Sequence, residues 1–144
     1  TNTLKRAKEL TQNGIILSCS KPLLFFMQNK VELDDFDENV LNKFSKLDDF
    51  DIISALKAWQ ENDDYILSSL SKMIINRDLL KIKLGSDKFS KEEMNQIMTR
   101  FLNQYDVSKQ DAHYFVFKGK IKNQAYSKDA EPIRNLKKDK TIIK

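Results

Sequence analysis

The stretch from Leu47 to Leu84, LDDFDIISALKAWQENDDYILSSLSKMIINRDLLKIKL, predicts two helices followed by a strand. Asp48 and Asp51 have the spacing of a capping box and open the first helix, and Asp63 is expected to cap the second. Both helices carry apolar residues at helical spacing: Ile52, Ile53, Leu56 and Trp59 in the first, and Ile66, Leu67, Leu70, Met73 and Ile74 in the second. After Arg77 the period changes to two, because Leu80, Ile82 and Leu84 alternate with Lys81 and Lys83. That alternation predicts a half-buried strand.

The residues before this stretch predict three more helices. Thr3 to Asn13 has leucine and alanine at helical spacing and stops at Gly14. Ser20 caps a short helix that runs to Met27, with a proline at its start. Asp37 opens a further helix whose apolar residues are expected to face inward: Val40, Leu41 and Phe44.

The residues after it predict a small sheet with one helix. Ser90 and Glu93 form a capping box for a helix whose apolar side carries Met94, Ile97, Met98 and Phe101. Tyr114 to Lys122 alternates as a strand, and Ile133 to Leu136 with Thr141 to Ile143 suggests a hairpin. We therefore predict an α+β fold. A helical part spans 1–78, and a small strand-helix-strand-hairpin subdomain spans 79–144 and is cut before its own end.

Composition sets the broad class. The chain has 144 residues, of which 40% are hydrophobic and 32% charged, as in an ordinary globular protein. No apolar run reaches the roughly 20 residues that span a bilayer, and the first residues lack an apolar signal region. The single Cys19 excludes an internal disulfide and is interpreted as a small buried side chain. These features favour a cytoplasmic protein without a membrane segment.

Charge is unevenly distributed along the chain. Residues 31–64 hold eleven acids against three lysines, whereas residues 109–144 hold ten bases against four acids. Lysine supplies 21 of the 25 basic residues. Sequence-specific nucleic-acid readers favour arginine for bidentate contacts, so this composition argues against a nucleic-acid partner.

Two constellations have a structural explanation. The acidic cluster Asp34, Asp35, Asp37, Asp48, Asp49 and Asp51 lacks the central glycine and terminal glutamate of a calcium loop, and helix capping accounts for three of its members. His113 is the only histidine, and one imidazole cannot build a multi-histidine metal site. We interpret it as a partly exposed loop residue, and we predict neither catalytic residues nor a metal site in this chain.

The basic residues leave two interpretations open. Lys81 and Lys83 share one strand face, as do Lys118, Lys120 and Lys122, and neighbouring strands would join them into a lysine surface suited to phosphate. A solvated outer face that discourages aggregation explains the same lysines. Arg77, which follows an apolar helix, is a candidate anchor for a buried contact or for an anion.

The order of several short motifs resembles that of a known family. They are Leu47-Asp48-Asp49-Phe50-Asp51-Ile52; Ala55, Lys57 and Trp59; Leu67-Ser68; Ile75-Asn76-Arg77-Asp78-Leu79-Leu80-Lys81; Arg6-Ala7-Lys8-Glu9-Leu10; and Asn123-Gln124-Ala125-Tyr126. In this order the chain resembles the C-terminal region of bacterial HD-domain phosphohydrolases, in the branch related to deoxynucleoside triphosphate triphosphohydrolases. The family's metal-binding set of a His, a His-Asp pair and a further Asp is absent here, since the chain has one histidine.

The resemblance implies a non-catalytic part of a longer, metal-dependent phosphohydrolase that hydrolyses nucleotides. Such a part would support the rest of the HD domain and contribute to a homo-oligomer or to effector-nucleotide binding. It also implies that Arg77 and Lys81, with Lys83 beside them, meet phosphates at a subunit or effector interface. The alternative is a protein–protein interaction module without nucleotide binding, which docks through exposed apolar helix faces.

Overall fold

The computed structural model describes residues 2–84, 89–119, 135–136 and 142–143. These residues form two short 3-10 helices, Leu33–Asp35 and Asp111–Tyr114, and two strands, β1 (Asn135–Leu136) and β2 (Ile142–Ile143). They also form six α-helices: α1 (Asn2–Gln12), α2 (Lys21–Gln28), α3 (Glu38–Phe44), α4 (Asp49–Trp59), α5 (Tyr65–Ile75) and α6 (Lys91–Gln104). The architecture of the described part is helical.

Side-chain caps fix where five of the helices begin. Asp37 Oδ1 accepts the Val40 N–H at 2.7 Å, and Asp48 and Asp51 form a reciprocal capping box at α4. Ser20 caps α2, and Ser90 with Glu93 makes the predicted box at α6. At α5 the cap is Asp64 and not Asp63, because Asp64 Oδ1 accepts the Leu67 N–H at 2.8 Å. Each such cap satisfies backbone donors that the first helical turn leaves unpaired.

One apolar core lies where α1, α2, α4 and α5 meet. α1 packs on α2 and α5, and α4 packs on α5. The buried members of this core are Ala7, Leu10, Leu17, Leu23, Met27, Ala55, Leu56, Trp59 and Leu67. Burying each large side chain of this kind contributes about 1.5–3 kcal/mol. This core stabilises α1, α2, α4 and α5.

A second, smaller cluster joins α6 to the 3-10 helix Asp111–Tyr114. Phe101 stacks on Phe115 with ring centroids 5.4 Å apart and lies 4.7 Å from the Tyr105 ring. Met98 and Ala112 are buried. Phe115 therefore covers part of α6.

The predicted α+β fold is wrong. Residues 80–84 form neither helix nor strand, and Tyr114, the first residue of the predicted second long strand, lies in a 3-10 helix. The alternating pattern of 80–84 finds no neighbouring strand in the described part, and a strand without a partner is not stable. β1 and β2 pair antiparallel through Asn135↔Ile143 and Leu136↔Ile142, but a two-residue ladder does not make a sheet layer. Residues 120–134 and 137–141, which include the predicted Lys138-Asp139 turn, lie outside the described residues, and the division at 78/79 stays a prediction.

Three apolar residues that were expected to face inward are exposed. Leu41 is 55% exposed, Phe44 54% and Ile53 42%, whereas Val40, Leu56 and Trp59 are buried as predicted. Helical spacing identifies a face, but it does not say whether another element covers that face. The α3 helix therefore presents apolar side chains to solvent. None of the helices in the described ranges combines the length and apolar character needed to cross a bilayer.

Candidate functional site

Arg77 ends α5 in an unusual backbone conformation. Its φ is +59°, the left-handed region that favours glycine, and its N–H donates to Ile74 O at 3.2 Å. The next N–H, of Asp78, donates to Met73 O at 2.9 Å. This pair of bonds is a Schellman motif. The end of α1 has the same motif with Gly14 at the left-handed position, so Arg77 stands where glycine is the usual residue.

The other two predicted phosphate-binding residues lie on the segment after α5. Lys81 and Lys83 are exposed, as is Arg77. Lys83 Nζ lies 3.4 Å from Glu93 Oε1 and 5.4 Å from the centroid of the Phe89 ring. Within the described ranges no ion pair forms with Arg77 or Lys81. Lys83 is thus bound to the first turn of α6, and an anion site on Arg77 and Lys81 stays a prediction.

The predicted lysine surface across two strands does not form as drawn. Lys81 and Lys83 are not on a strand, and Lys118 is exposed after the second 3-10 helix. Lys120 and Lys122 lie outside the described residues. Without a ladder between 80–84 and 114–119, no sheet places the described lysines, Lys81, Lys83 and Lys118, on one face.

The histidine and the acidic cluster have the structural roles that the sequence favoured. His113 is exposed in the second 3-10 helix. Asp37 and Asp48 cap helices, and Asp51 completes the box at α4. A shallow, solvent-open depression is lined by Asp37, Glu38, Asn39 and Asn42. Among the described residues, no three His, Cys, Asp or Glu side chains group in a way that could hold a metal ion.

The strongest polar cluster is one that the sequence reasoning missed. The Arg6 guanidinium on α1 forms a bidentate pair with Asp64, with Nη2 2.6 Å from Oδ2 and Nε 3.1 Å from Oδ1. Arg6 Nη1 also lies 3.7 Å from Glu9 and 3.7 Å from Asp111. One cation therefore faces three carboxylates from α1, from the N-terminus of α5 and from the second 3-10 helix.

Tyr114 completes this cluster. Its ring lies under the Arg6 guanidinium, 5.6 Å from the centroid, and its hydroxyl hydrogen-bonds Glu9 Oε2. Its backbone oxygen accepts a hydrogen bond from Asn2 Nδ2 at 2.7 Å. We call Arg6, Glu9, Asp64, Asp111 and Tyr114 the arginine clamp. It fastens residues 111–114 and α5 to α1.

Electrostatics show that the clamp is a satisfied structural network. Burial alone would raise the pKa of Asp64, but the hydrogen bonds from Arg6 and from the Leu67 N–H outweigh it and lower the pKa below its ordinary 3.8. Hydrogen bonding to Asp64 raises the pKa of Arg6, and burial together with the Glu9 contact raises the pKa of Tyr114. Nε and Nη2 of Arg6 donate to Asp64, and three carboxylates surround its charge, so the cluster disfavours an external phosphate.

No local signal in the sequence pointed to this clamp. Arg6 and Asp64 are 58 positions apart, and each has an ordinary local explanation, as a solvated helix residue and as a helix cap. The one available hint was the rarity of arginine, since the chain has four, at positions 6, 77, 100 and 134. An arginine in a lysine-rich chain marks a place where planar, bidentate geometry matters.

Comparison with known proteins gives partial matches. No family model matches the chain. The uncharacterised protein YwfO of Bacillus subtilis (strain 168) is 32% identical over 83 residues, which is 56% of this chain and 17% of that protein.

The crystal structure of a phosphohydrolase from Bacteroides thetaiotaomicron superposes on 99% of this chain with a TM-score of 0.82 and 33% sequence identity. The chain spans 36% of the length of that phosphohydrolase. The similarity in fold and in sequence confirms the phosphohydrolase part of the resemblance. The chain therefore has a phosphohydrolase-like fold and is similar to about a third of such a protein.

Proposed function

We propose that this chain is a non-catalytic, C-terminal part of a longer bacterial phosphohydrolase of the HD superfamily. The observation that carries the proposal is the match of 99% of this chain to a phosphohydrolase of which it spans 36%. The motifs around Asp48, Trp59 and Arg77 support the HD branch. A parent of similar size would have about 400 residues, since 144 residues are 36% of it.

In this proposal the chain has three roles, and catalysis is not among them. The α1–α5 core supports the rest of the HD domain, exposed surfaces contribute to a homo-oligomer, and Arg77 with Lys81 binds the phosphates of an effector nucleotide. The parent would use a divalent metal held by residues outside this chain, and it would act in the cytoplasm. An arginine fork with a lysine point charge beside it suits a polyphosphate.

Nucleotide binding is tested by thermal unfolding of the isolated chain, followed by the fluorescence of Trp59. At about 100 times its Kd, dGTP or GTP should stabilise the fold by about 2.7 kcal/mol, a shift of several degrees in Tm. Arg77→Gln and Lys81→Gln should each reduce the shift. Lys83→Gln is the matched control and should change it little, because Lys83 is paired with Glu93.

Two outcomes would contradict parts of the proposal. Hydrolysis of nucleotides by the isolated chain with Mg²⁺ or Mn²⁺ would refute the non-catalytic role. A Tm unaffected by any dNTP or by GTP would favour the second candidate, an interaction module without nucleotide binding. The exposed apolar side chains of α3 are the observation that favours this second candidate.

A further inference from the structure

Residues 89–116, which we call the α6 unit, add no residue to the main apolar core. Every described member of that core lies before α6 in the sequence. Among the side chains of α6 that the structure describes, Met98 alone is buried, and α6 packs on the second 3-10 helix. Phe101 and Phe115 stack between these two elements. The α6 unit therefore has a small apolar cluster of its own.

The segment that leads from α5 toward the α6 unit has no regular structure. Residues 79–84 are exposed except for the half-buried Leu80. In the described part of the chain, no backbone hydrogen bond ties these residues to a helix. Lys83 pairs with Glu93 of α6 and not with the core. Local opening begins at segments with exposed backbone and few contacts, so residues 79–84 leave the α6 unit free to move once its other contacts break.

The polar contacts of the α6 unit with the helical core all lie at the arginine clamp or beside it. Asn2 Nδ2 donates to Tyr114 O at 2.7 Å, and the Tyr114 hydroxyl bonds Glu9. Arg6 lies 3.7 Å from Asp111 and over the Tyr114 ring. Among the described residues, no hydrogen bond or salt bridge joins the α6 unit to α2, α3, α4 or α5. The second 3-10 helix thus carries the polar attachment of the whole unit.

The two sides of the clamp differ in strength. On the α5 side, Arg6 makes the bidentate pair with Asp64 at 2.6 and 3.1 Å, and both side chains are shielded. On the other side, the ion pair with Asp111 is longer and single, and the Asp111 side chain is 34% exposed. Shielded bidentate pairs are the stronger kind, whereas long exposed pairs contribute little and are screened by salt. The clamp should therefore release Asp111 before it releases Asp64.

We propose that the α6 unit is a hinged element, which the arginine clamp holds on α1 and which opens at Asp111 and Tyr114 while the α1–α5 core stays folded. Arg6 remains on Asp64 in the open form. A ligand or partner protein that binds one of the two forms better shifts the equilibrium by its difference in affinity. This device goes beyond the proposed function and does not depend on nucleotide binding.

Hydrogen exchange of the 144-residue chain, followed by mass spectrometry, tests the proposal by comparing peptides of α6 with peptides of α5. A helix of 14 residues is marginal once it leaves its support, so the amides of α6 exchange in the open form. In the wild type, α6 should be protected at least about tenfold less than α5. Equal protection of the two helices would overturn the proposal, because the chain would then open only as a whole.

The clamp is tested by the double variant Asp111→Asn with Tyr114→Phe. Asparagine still accepts the hydrogen bond from the Ser108 hydroxyl, and phenylalanine keeps a ring under Arg6, so the α6 unit keeps its internal contacts. Protection of α6 should fall by a further factor of about five to ten, and that of α5 by less than about twofold. Added salt should lower the protection of α6 in the wild type and do so less in the double variant.

Asp106→Asn is the matched control, because it makes the same change of charge within the α6 unit at an exposed residue that forms no ion pair in the described part. It should leave the protection of both helices unchanged. An equal loss of protection in α5 and α6 of the double variant would overturn the hinged opening. No loss in α6, or the same loss in the control, would show that the clamp does not hold the α6 unit.

Discussion

Arg6 Nη2 lies 2.6 Å from Asp64 Oδ2, and this contact connects the middle of α1 to Asp64, the N-cap residue of α5. Asp64 has two functions at once, because its Oδ1 also accepts the Leu67 N–H at 2.8 Å. The pair is partly shielded, with side-chain exposures of 21% and 16%. It joins two helices that are distant in sequence and that share one apolar core.

Loss of the Arg6–Asp64 pair should destabilise the fold. Arg6→Gln leaves a partly buried carboxylate without its cation, and we expect the free energy of unfolding to fall by about 1.5–3 kcal/mol. Urea unfolding measures the change. The matched control is Lys72→Gln, which removes an exposed ion pair whose Lys72 Nζ lies 3.8 Å from Glu61 Oε1. This variant should lower the free energy of unfolding by about 0.5 kcal/mol or less. Equal losses in the two variants would contradict a special role for the clamp.

The clamp should also make stability depend on pH in the acid range. The folded pKa of Asp64 is below its ordinary 3.8, so the unfolded state binds more protons as the pH falls toward and through the folded value. The stability from Asp64 is present above about pH 4 and is lost below it. Asp64→Asn keeps a good N-cap but cannot titrate. The stability difference between wild type and Asp64→Asn should shrink from pH 6 to about pH 2.5. A stability difference that stays the same at every pH would refute a contribution from the ionisation of Asp64.

Arg77→Gly should stabilise the chain. The left-handed conformation costs a non-glycine residue about 1 kcal/mol, and the exposed Arg77 side chain loses no described contact on removal. We therefore expect a gain of up to about 1 kcal/mol and a rise in Tm. Arg77→Ala is one control, since it removes the side chain but keeps the strain. Asn76→Gly is the other, because Asn76 has φ −84° and should lose stability with glycine. A loss of stability in Arg77→Gly would show that the arginine side chain makes a contact important for the fold.

Ser71→Ala should also stabilise the chain. The Ser71 side chain is fully buried, and its Oγ finds no hydrogen-bond partner among the described residues. A buried hydroxyl in that state costs about 1–3 kcal/mol, and alanine fits the same space. Ser68→Ala controls for helix propensity, because Ser68 is on the same helix and its Oγ donates to Tyr65 O at 3.2 Å. In urea unfolding, the free energy of unfolding of Ser71→Ala should be higher than that of Ser68→Ala by about 1 kcal/mol. No difference between them would indicate that water satisfies the hydroxyl.

The helices of residues 2–75 could be predicted because their signals are local. Ser20, Asp37 and Asp48 bind backbone groups two or three residues away, and apolar spacing marked Leu56, Trp59 and Leu67 as core. Such contacts depend on a few neighbouring residues, and so a reading of the sequence finds them. The predicted cap of α5, Asp63, was wrong by one residue, because Asp63 and Asp64 have the same side chain and only the backbone geometry distinguishes them.

The strands could not be predicted in the same way. Alternation in residues 80–84 describes a surface that fits a sheet, and a strand needs a second strand to satisfy its backbone. In the described part no such partner lies beside it, and Phe115 instead stacks on Phe101 of α6. The same limit applies to the phosphate site predicted on Arg77, Lys81 and Lys83. Its residues were identified by resemblance, and Lys83 turned out to be paired with Glu93.

The sequence by itself determined where the helices of this protein begin, which of their residues are apolar, and that the chain is related to a phosphohydrolase. The tertiary structure alone decided that Arg6 meets Asp64, that Leu41 and Phe44 face solvent, and that residues 80–84 are not a strand. The physical reason is the range of the interactions. Caps and helical periodicity act within a turn or two of the chain, whereas ion pairs between distant residues and the covering of apolar faces depend on how the whole chain packs.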